Sequence, residues 1–550
     1  MGENDSLEAK EKYLSDVEKT QDKIENFDIL ETITNVGNDE VFTPMQVCTE
    51  MLDSLPKEVW RNPNYRWLNP VTKNGIFERE IAIRLNDGLK DIIPNELTRK
   101  KHIIRDMIFS IGETKFTSLV ARRTLYYCAY ANRKDDGKYD PVDGHSLNGY
   151  AIGNGTWFDD EEGNIKTPKA EHVFDTKGTD AKCVFCGIRR DSKYNDPSQI
   201  EHYAYEFIHQ KDLKKYIANA FFKGDEKMKF DIIIGNPPYQ LNDGGANASA
   251  RPIYQYFIER ALELDPSYIC MIIPARWYAG GKGLDEFRTK MLNDVHIKKL
   301  VDYPNAKECF PNFSISGGVC YFVRDKSYKG GCTFVSMENP SAPTQSLRKL
   351  NRFPVFVRFD LGEQIIAKVE KASQKSLSTI VNSRNIFGFE SKIRGKDKPY
   401  ENGYSLYSSD GVSYIRKDEI KKNLKLADSF KIMVSKTTAE HANEPGLDGK
   451  YKILSTTKAL NPGEVVTDSY IIVGPFKTIE QTKNALNFLR TKFCRFLISL
   501  STSSINVTKD CFQFVPLMDF SRTWSDAELD QNFDLSKSEV EFINSLIKDY

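Results

Sequence analysis

Asn236-Pro237-Pro238-Tyr239 puts an amide, two rigid rings and an aromatic side chain in four consecutive positions. The apolar run Phe230-Asp231-Ile232-Ile233-Ile234-Gly235 leads into it and reads as a buried parallel strand ending at a glycine. Ligands of open α/β sheets gather at the carboxyl ends of such strands. An exocyclic amine conjugated to a purine ring is a poor nucleophile, because its lone pair is delocalised. The Asn236 side-chain oxygen and the Pro237 carbonyl could accept both hydrogens of that amine and favour a pyramidal nitrogen. Proline removes backbone donors, so the loop presents acceptors. Tyr239 would stack on the base, an interaction worth about 1–3 kcal/mol. The plainer reading, a strand-ending turn, stays open, since Asn-Pro and Pro-Pro are turn formers.

A second chemical signal is Cys183-Val184-Phe185-Cys186-Gly187, a knuckle whose spacing lets two thiolates reach one zinc ion. A structural site needs four ligands, and Cys128, His172 and His202 are the candidates for the others; two ordinary thiols are the alternative. Net charge is zero, yet residues 331–500 hold 27 Lys plus Arg against 17 Asp plus Glu. That excess is a footprint for phosphate contact, with Lys392, Arg394 and Lys396 on the most basic loop. A solvated charged loop explains the same residues. Arg276 and Trp277 follow the apolar run ending at Pro274 and would lie at a sheet rim, against DNA or behind the base pocket. Phe310-Pro311-Asn312-Phe313 could supply a ring to the far face of an extruded base, or simply pack in the core. Asp360 and Glu390-Ser391-Lys392 have the residue types of a nuclease site but loose spacing, so no DNA cutting is expected of this chain.

Positioning these groups requires a large scaffold. At 550 residues, two or three domains are expected. Residues 1–39 read as a helical leader, 40–328 as a catalytic domain with an insertion near 131–210, and 329–550 as a mixed α/β part. Two helical segments, Thr478 to Leu500 and Ser536 to Ile547, belong to the last. The catalytic fold class is α/β, a doubly wound, mostly parallel sheet. No stretch reaches the 18 or more apolar residues of a membrane span, and the acidic start argues against a signal peptide. A cytoplasmic protein is expected, without membrane contact. Ten cysteines in so long a chain make no disulfide scaffold; Cys270 and Cys320 read as small core residues.

The order of segments resembles the gamma-class N6-adenine DNA methyltransferases of restriction–modification systems. Besides Asn236 to Tyr239, the resemblance rests on Glu40-Val41-Phe42-Thr43-Pro44, on Trp67-Leu68-Asn69-Pro70-Val71-Thr72-Lys73-Asn74-Gly75-Ile76-Phe77 and on Met107-Ile108-Phe109-Ser110-Ile111-Gly112-Glu113. It covers roughly residues 40–325, and the remainder more loosely. It implies S-adenosylmethionine as methyl donor, held by Phe42, Thr43, Pro44, Asn69, Pro70, Gly75 and Phe77. Glu113 would bind the ribose and Asp212 would lie near the cofactor adenine, with a solvated Asp starting a helix as the alternative for Asp212. It also implies duplex DNA as partner, a target-recognition domain at 329–550, and a separate nuclease or translocase. Two positions depart from the family pattern. Asn69 stands where an acid is usual, and Lys73 brings positive charge near a cationic ligand. They motivate an alternative, a non-catalytic DNA-binding subunit with a decayed cofactor site. A protein glutamine N-methyltransferase is another, because a primary amide poses the same planar-nitrogen problem; those enzymes are short.

Overall fold

The computed structural model describes residues 41–127, 162–192, 204–241, 251–337 and 343–550, apart from 279, 282, 312, 314, 316, 383, 441–445, 447 and 503–504. The expected leader, residues 1–39, lies outside them, as do 131–161 and 193–203 of the expected insertion.

Nine strands share one sheet: β1 (Trp67–Thr72), β2 (Ile108–Gly112), β3 (Ile165–Lys166), β4 (Ile232–Gly235), β7 (Tyr268–Pro274), β8 (Ile297–Tyr303), β9 (Val319–Asp325), β10 (Cys332–Ser336) and β11 (Thr344–Arg348). A short hairpin, β5 (Gln240–Leu241) with β6 (Arg251–Pro252), stands apart from it. The order across the large sheet is β11-β10-β8-β9-β7-β4-β1-β2-β3. Strands β3, β2, β1, β4 and β7 run parallel, whereas β9 is antiparallel to both β7 and β8. Because β1 has β2 on one side and β4 on the other, the chain changes direction across the sheet there. A crevice opens at the carboxyl ends of strands at such a switch.

Alternate side chains along each strand feed two cores. Trp67, Ile108, Ile232, Ile234, Cys270 and Ile272 point to one face, where Val47, Met51, Leu52, Ile81 and Leu85 of the helices Met45–Asp53 and Ile76–Gly88 cover them. Leu68, Phe109, Ile233, Ile269 and Met271 point to the other, under Leu213, Ile217, Phe257 and Ile258 of Leu213–Phe221 and Tyr254–Glu263. Burial on both faces explains why β4 and β7 are continuous apolar runs rather than alternating ones. The sheet continues past residue 328, the expected boundary: β10 pairs with β8, and β11 extends it antiparallel.

Beyond it, β12 (Tyr404–Ser408), β13 (Gly411–Ile415) and β16 (Glu464–Val466) form one small sheet. A second contains β14 (Phe430–Ser435), β15 (Thr457–Leu460) and β17 (Tyr470–Phe476). Ile432, Val434, Ile471 and Val473 pack against the helices Ile479–Arg490 and Lys492–Ser499, while Met433 and Ile472 face the first small sheet. The helical segment expected over 478–500 is thus two helices. Thr491 leaves the helical conformation, and its hydroxyl accepts the Cys494 N–H to start the second. Among the described residues no helix is long and apolar enough to cross a membrane.

Candidate active site

Pro70 lies inside β1 and has no N–H to give the ladder, and the β1–β2 register slips between Asn69 and Thr72. Across that bulge the Val71 N–H donates to Asn69 Oδ1 at 3.2 Å. The chain then turns at Gly75, whose φ of +82° suits glycine, and enters the helix Ile76–Gly88. A side chain at Gly75 would also begin 2.9 Å from the Ala121 backbone. The result is a narrow cleft lined by Thr43, Asn69, Thr72, Lys73, Gly75, Glu78 and Asn236, among others. Segments from three parts of the chain therefore converge at the switch between β1 and β4.

Asn236 is 3% exposed. Its Nδ2 donates to the Val41 carbonyl at 2.9 Å and to the Thr43 hydroxyl at 3.1 Å. Both hydrogens of the amide are thereby committed, and the orientation of the group is set. Its Oδ1 is buried without a hydrogen-bond partner. A buried acceptor left bare costs about 1–3 kcal/mol, a cost that a donor from outside the chain would relieve. The same Val41 carbonyl accepts Lys73 Nζ at 3.0 Å. Tyr239 is also buried, its ring edge-on to Phe310 with centroids 6.4 Å apart. Burial pushes the phenol well above its ordinary range, with Cys309 and Cys320 adding and Asn236 opposing. Phe310 is fully buried and buttresses Tyr239; Phe313 is the half-buried ring of that turn.

The two unusual positions of the first turn have structural employment. Lys73 is 7% exposed and points inward, held by Val41 O and by Glu113 Oε2 at 3.9 Å. Asn69 Nδ2 donates to Glu78 Oε1 at 2.9 Å, and Ser110 Oγ donates to the same oxygen at 2.6 Å. Glu78 was not singled out from the sequence, where a Glu in a helix's first turn reads as solvated. Only its register opposite Asn69 and Ser110 could have betrayed it. Burial raises its pKa, and hydrogen bonds from Ser110, Thr72 and Asn69 partly offset that. The cleft therefore has its acid on the helix rather than at the strand end. Asn74 leaves its buried Nδ2 without a partner in the same cleft.

Other expected residues sit as follows. Phe42 and Pro44 are half-buried beside Thr43, Pro70 is buried within β1, and Glu113 is buried at the end of β2. Asp212 does not join the cleft: it is exposed, and its carboxylate caps Leu213–Phe221 by accepting the Lys215 N–H at 3.0 Å. Helix capping explains the residue fully. Arg276 is partly buried and lines a cavity between the large sheet and the carboxyl-terminal part, with Arg358, Tyr451 and Ser499. Its Nε is buried without a partner, and desolvation lowers its pKa. Lys392 and Lys396 are exposed, but Lys392 pairs with Glu390 at 3.2 Å, and Arg394 makes a forked pair with Asp410 at 2.9 and 2.6 Å. Arg394 is thus engaged within the chain. Asp360 pairs with Arg348 at 2.6 Å. Neither Asp360 nor Glu390 joins the one cluster of His, Cys, Asp and Glu ligands among the described residues.

That cluster is His172, Cys183, Cys186 and His209. Cys128 and His202, two of the expected ligands, lie outside the described residues. His209 takes a place that the sequence did not suggest; it ends the apolar run Tyr205-Glu206-Phe207-Ile208, far along the chain from the knuckle.

The profile of the Eco57I restriction-modification methylase family matches residues 106–310. An uncharacterized adenine-specific methylase of Mycoplasma pneumoniae (strain ATCC 29342 / M129 / Subtype 1) is 46% identical over 381 residues, covering 66% of this chain and 87% of the relative. Among solved structures, the Type IIL restriction-modification enzyme MmeI in complex with DNA aligns with a TM-score of 0.45 at 10% identity, over 88% of this chain and 69% of that one. A modification subunit of a putative type I restriction enzyme from Vibrio vulnificus YJ016 aligns with a TM-score of 0.31 at 11% identity, over 55% and 48%. Both structural likenesses are distant. The likeness to the Mycoplasma relative is close and spans most of its length, and on that ground this chain belongs to the adenine-specific methylase family.

Proposed function

We propose that the chain is a site-specific DNA methyltransferase that moves a methyl group from S-adenosylmethionine to N6 of adenine in duplex DNA. The observation that carries the reading is the Asn236 amide, tied through both hydrogens to Val41 and Thr43 while its oxygen stays buried and bare. An amine entering beside Tyr239 would give one hydrogen to that oxygen and the other to the Pro237 carbonyl. The nitrogen lone pair would then turn away from the ring and toward the cleft. Rotating the adenine out of the duplex costs a few kcal/mol, on the order of one stacked pair. Tyr239 recovers part of that by stacking. Among the described residues no side chain is a strong base at the amine, so the proton leaves to solvent after transfer, and the gain comes from orientation.

The cleft's donor set fits the cofactor. The amino end of Ile76–Gly88 and the unpartnered Asn74 Nδ2 suit a carboxylate, and the buried Glu78 suits a cationic amino or sulfonium group. Glu113 remains the candidate for the ribose, with Thr43, Gly75 and Phe77 shaping the walls. When bound, the cofactor supplies an electrophilic methyl carbon on sulfur. Lys73, whose charge motivated a non-catalytic reading, lines the same cleft, donates to the Val41 carbonyl and lies 3.9 Å from Glu113 Oε2. Duplex contact is assigned to the exposed Lys392 and Lys396 and to Arg276, and a nuclease or translocase to a separate chain.

The test is transfer of labelled methyl from S-adenosylmethionine to duplex DNA, with the product nucleosides separated. Label in N6-methyladenosine, abolished by Asn236→Ala, supports the reading. Label recovered in protein glutamine and not in DNA contradicts it.

A further inference from the structure

We propose that His172, Cys183, Cys186 and His209 hold a structural zinc ion, which clasps the inserted segment against the hairpin that follows the catalytic loop. The four ligand atoms all lie within 4.8 Å of one another. Tetrahedral zinc with bonds of about 2.0–2.3 Å needs its ligands roughly 3.3–3.8 Å apart, so small side-chain rotations close the site. Two thiols with two imidazoles in this arrangement select zinc over the harder divalent cations.

Local structure builds the site from both ends. Residues 173–175 pair antiparallel with 182–184: Val184 N–H donates to Val173 O at 2.7 Å and Asp175 N–H to Lys182 O at 3.0 Å. That pairing carries His172 to the knuckle, where its Nδ1 lies 3.5 Å from Cys186 Sγ. Gly187 N–H donates to Cys183 O at 2.8 Å, and the Gly187 φ of +74° turns the chain back so that Ile188 O accepts the Cys183 N–H. The fourth group comes from outside the knuckle. His209 is 5% exposed, and its Nδ1 lies 3.0 Å from the Tyr205 carbonyl. The same Nδ1 also lies 3.0 Å from the Tyr205 backbone N, so a metal would select the tautomer that donates to the carbonyl and frees Nε2, which is buried with no hydrogen-bond partner. The ring packs edge-on against His172 and Phe185, which holds that nitrogen beside the two buried thiols.

The clasp has a reason to exist. The segment around the knuckle contributes few apolar side chains of its own, and Cys183, Cys186 and Ile188 join the core beneath Tyr205 and Phe207. Metal binding supplies folding free energy that so small a core lacks. The Arg251 guanidinium packs directly over Gly187, where even a methyl group would begin 2.5 Å from it. Arg251 belongs to β6, which pairs with β5 immediately after Tyr239. Loss of the ion would therefore loosen the support of the catalytic loop.

The experiment is elemental analysis of the full chain purified without chelator, followed by cobalt(II) exchange under reducing conditions. The expected result is one zinc per chain and, with cobalt, a thiolate charge-transfer band plus the visible bands of a tetrahedral site. Cys183→Ser and His209→Ala should each lose the metal, whereas Cys511→Ala, at a buried thiol elsewhere, should keep it. Wild-type protein without zinc that gives no such cobalt spectrum overturns the proposal, as does full zinc occupancy in both ligand variants. These readouts involve no methyl transfer, so failure of the zinc site and failure of the methyltransferase reading are told apart.

Discussion

Thr43→Val separates the orientation of Asn236 from its mere presence. The substitution keeps the volume of a side chain that is 5% exposed and removes the acceptor 3.1 Å from Asn236 Nδ2. Val41 O still holds one amide hydrogen at 2.9 Å, and reversing the amide would set Oδ1 against that carbonyl. The freed N–H is thus a buried donor without a partner, costing about 1–3 kcal/mol. Tilting the amide relieves the cost and moves Oδ1 off the line to the amine. If the transition state loses a comparable amount, kcat falls by about 5- to 150-fold. Thr43→Ser keeps the hydroxyl and should stay within about twofold of the parent. The assay is single-turnover methyl transfer on a saturating duplex, with DNA affinity measured alongside and expected to be unchanged. A folded Thr43→Val protein with the parental kcat would refute the argument that this hydrogen bond orients the amide.

Three further outcomes follow from the structure. Gly75→Ala should lower both Tm and cofactor affinity by calorimetry, because φ is +82° and the new methyl would meet Ala121 and Thr124 at 2.9 Å. Glu78→Gln should flatten the pH dependence of stability. Burial raises the folded pKa of Glu78 above its ordinary 4.5, so its contribution is full below 4.5 and declines as pH rises toward the folded value. Thermal melts of both proteins from acid to neutral pH, without cofactor, would show the parent losing ground relative to the variant. Lys431 behaves in the opposite sense: buried among the carbonyls of Ala427, Ser429 and Asn461, it is pushed down to about 8 from 10.5 by desolvation. Stability should rise between those pH values in the parent and not in Lys431→Met, although that variant will be less stable throughout.

The strand Ile232–Gly235 and the loop that follows it were legible because their signals are local. A run of Ile bounded by Asp231 and Gly235 can hardly be anything but a buried strand, and Asn-Pro-Pro marks the turn that ends it. The order of the flanking segments then gave the sheet. What escaped depends on long-range register. Glu78 differs from a surface carboxylate only because its helix turns that face onto Asn69 and Ser110. His209 lies 23 residues beyond Cys186, brought back by a four-residue helix whose pattern predicts nothing about a metal. Lys73 was expected to trouble a cation unless it points outward; it is buried and lines the cleft, and its bond to Val41 O depends on a segment 32 residues upstream that its own turn does not reveal. Residues 332–348 were grouped with the mixed α/β part that begins at 329; their pairing with β8 is a non-local choice that composition does not encode. Asp212, for which a helix-starting Asp was the alternative to a cofactor contact, is a helix cap.

The central claim is that Asn236 presents adenine for methylation, and mapping modified bases by long-read sequencing of a methylation-free host tests it most directly. Expression of the parent chain should place N6-methyladenine at one recurring motif, and Asn236→Ala, expressed to the same soluble level and still binding duplex DNA, should leave the genome unmarked. An unchanged mark in the Asn236→Ala strain, or no adenine mark from a parent protein that binds both S-adenosylmethionine and DNA, would contradict the account.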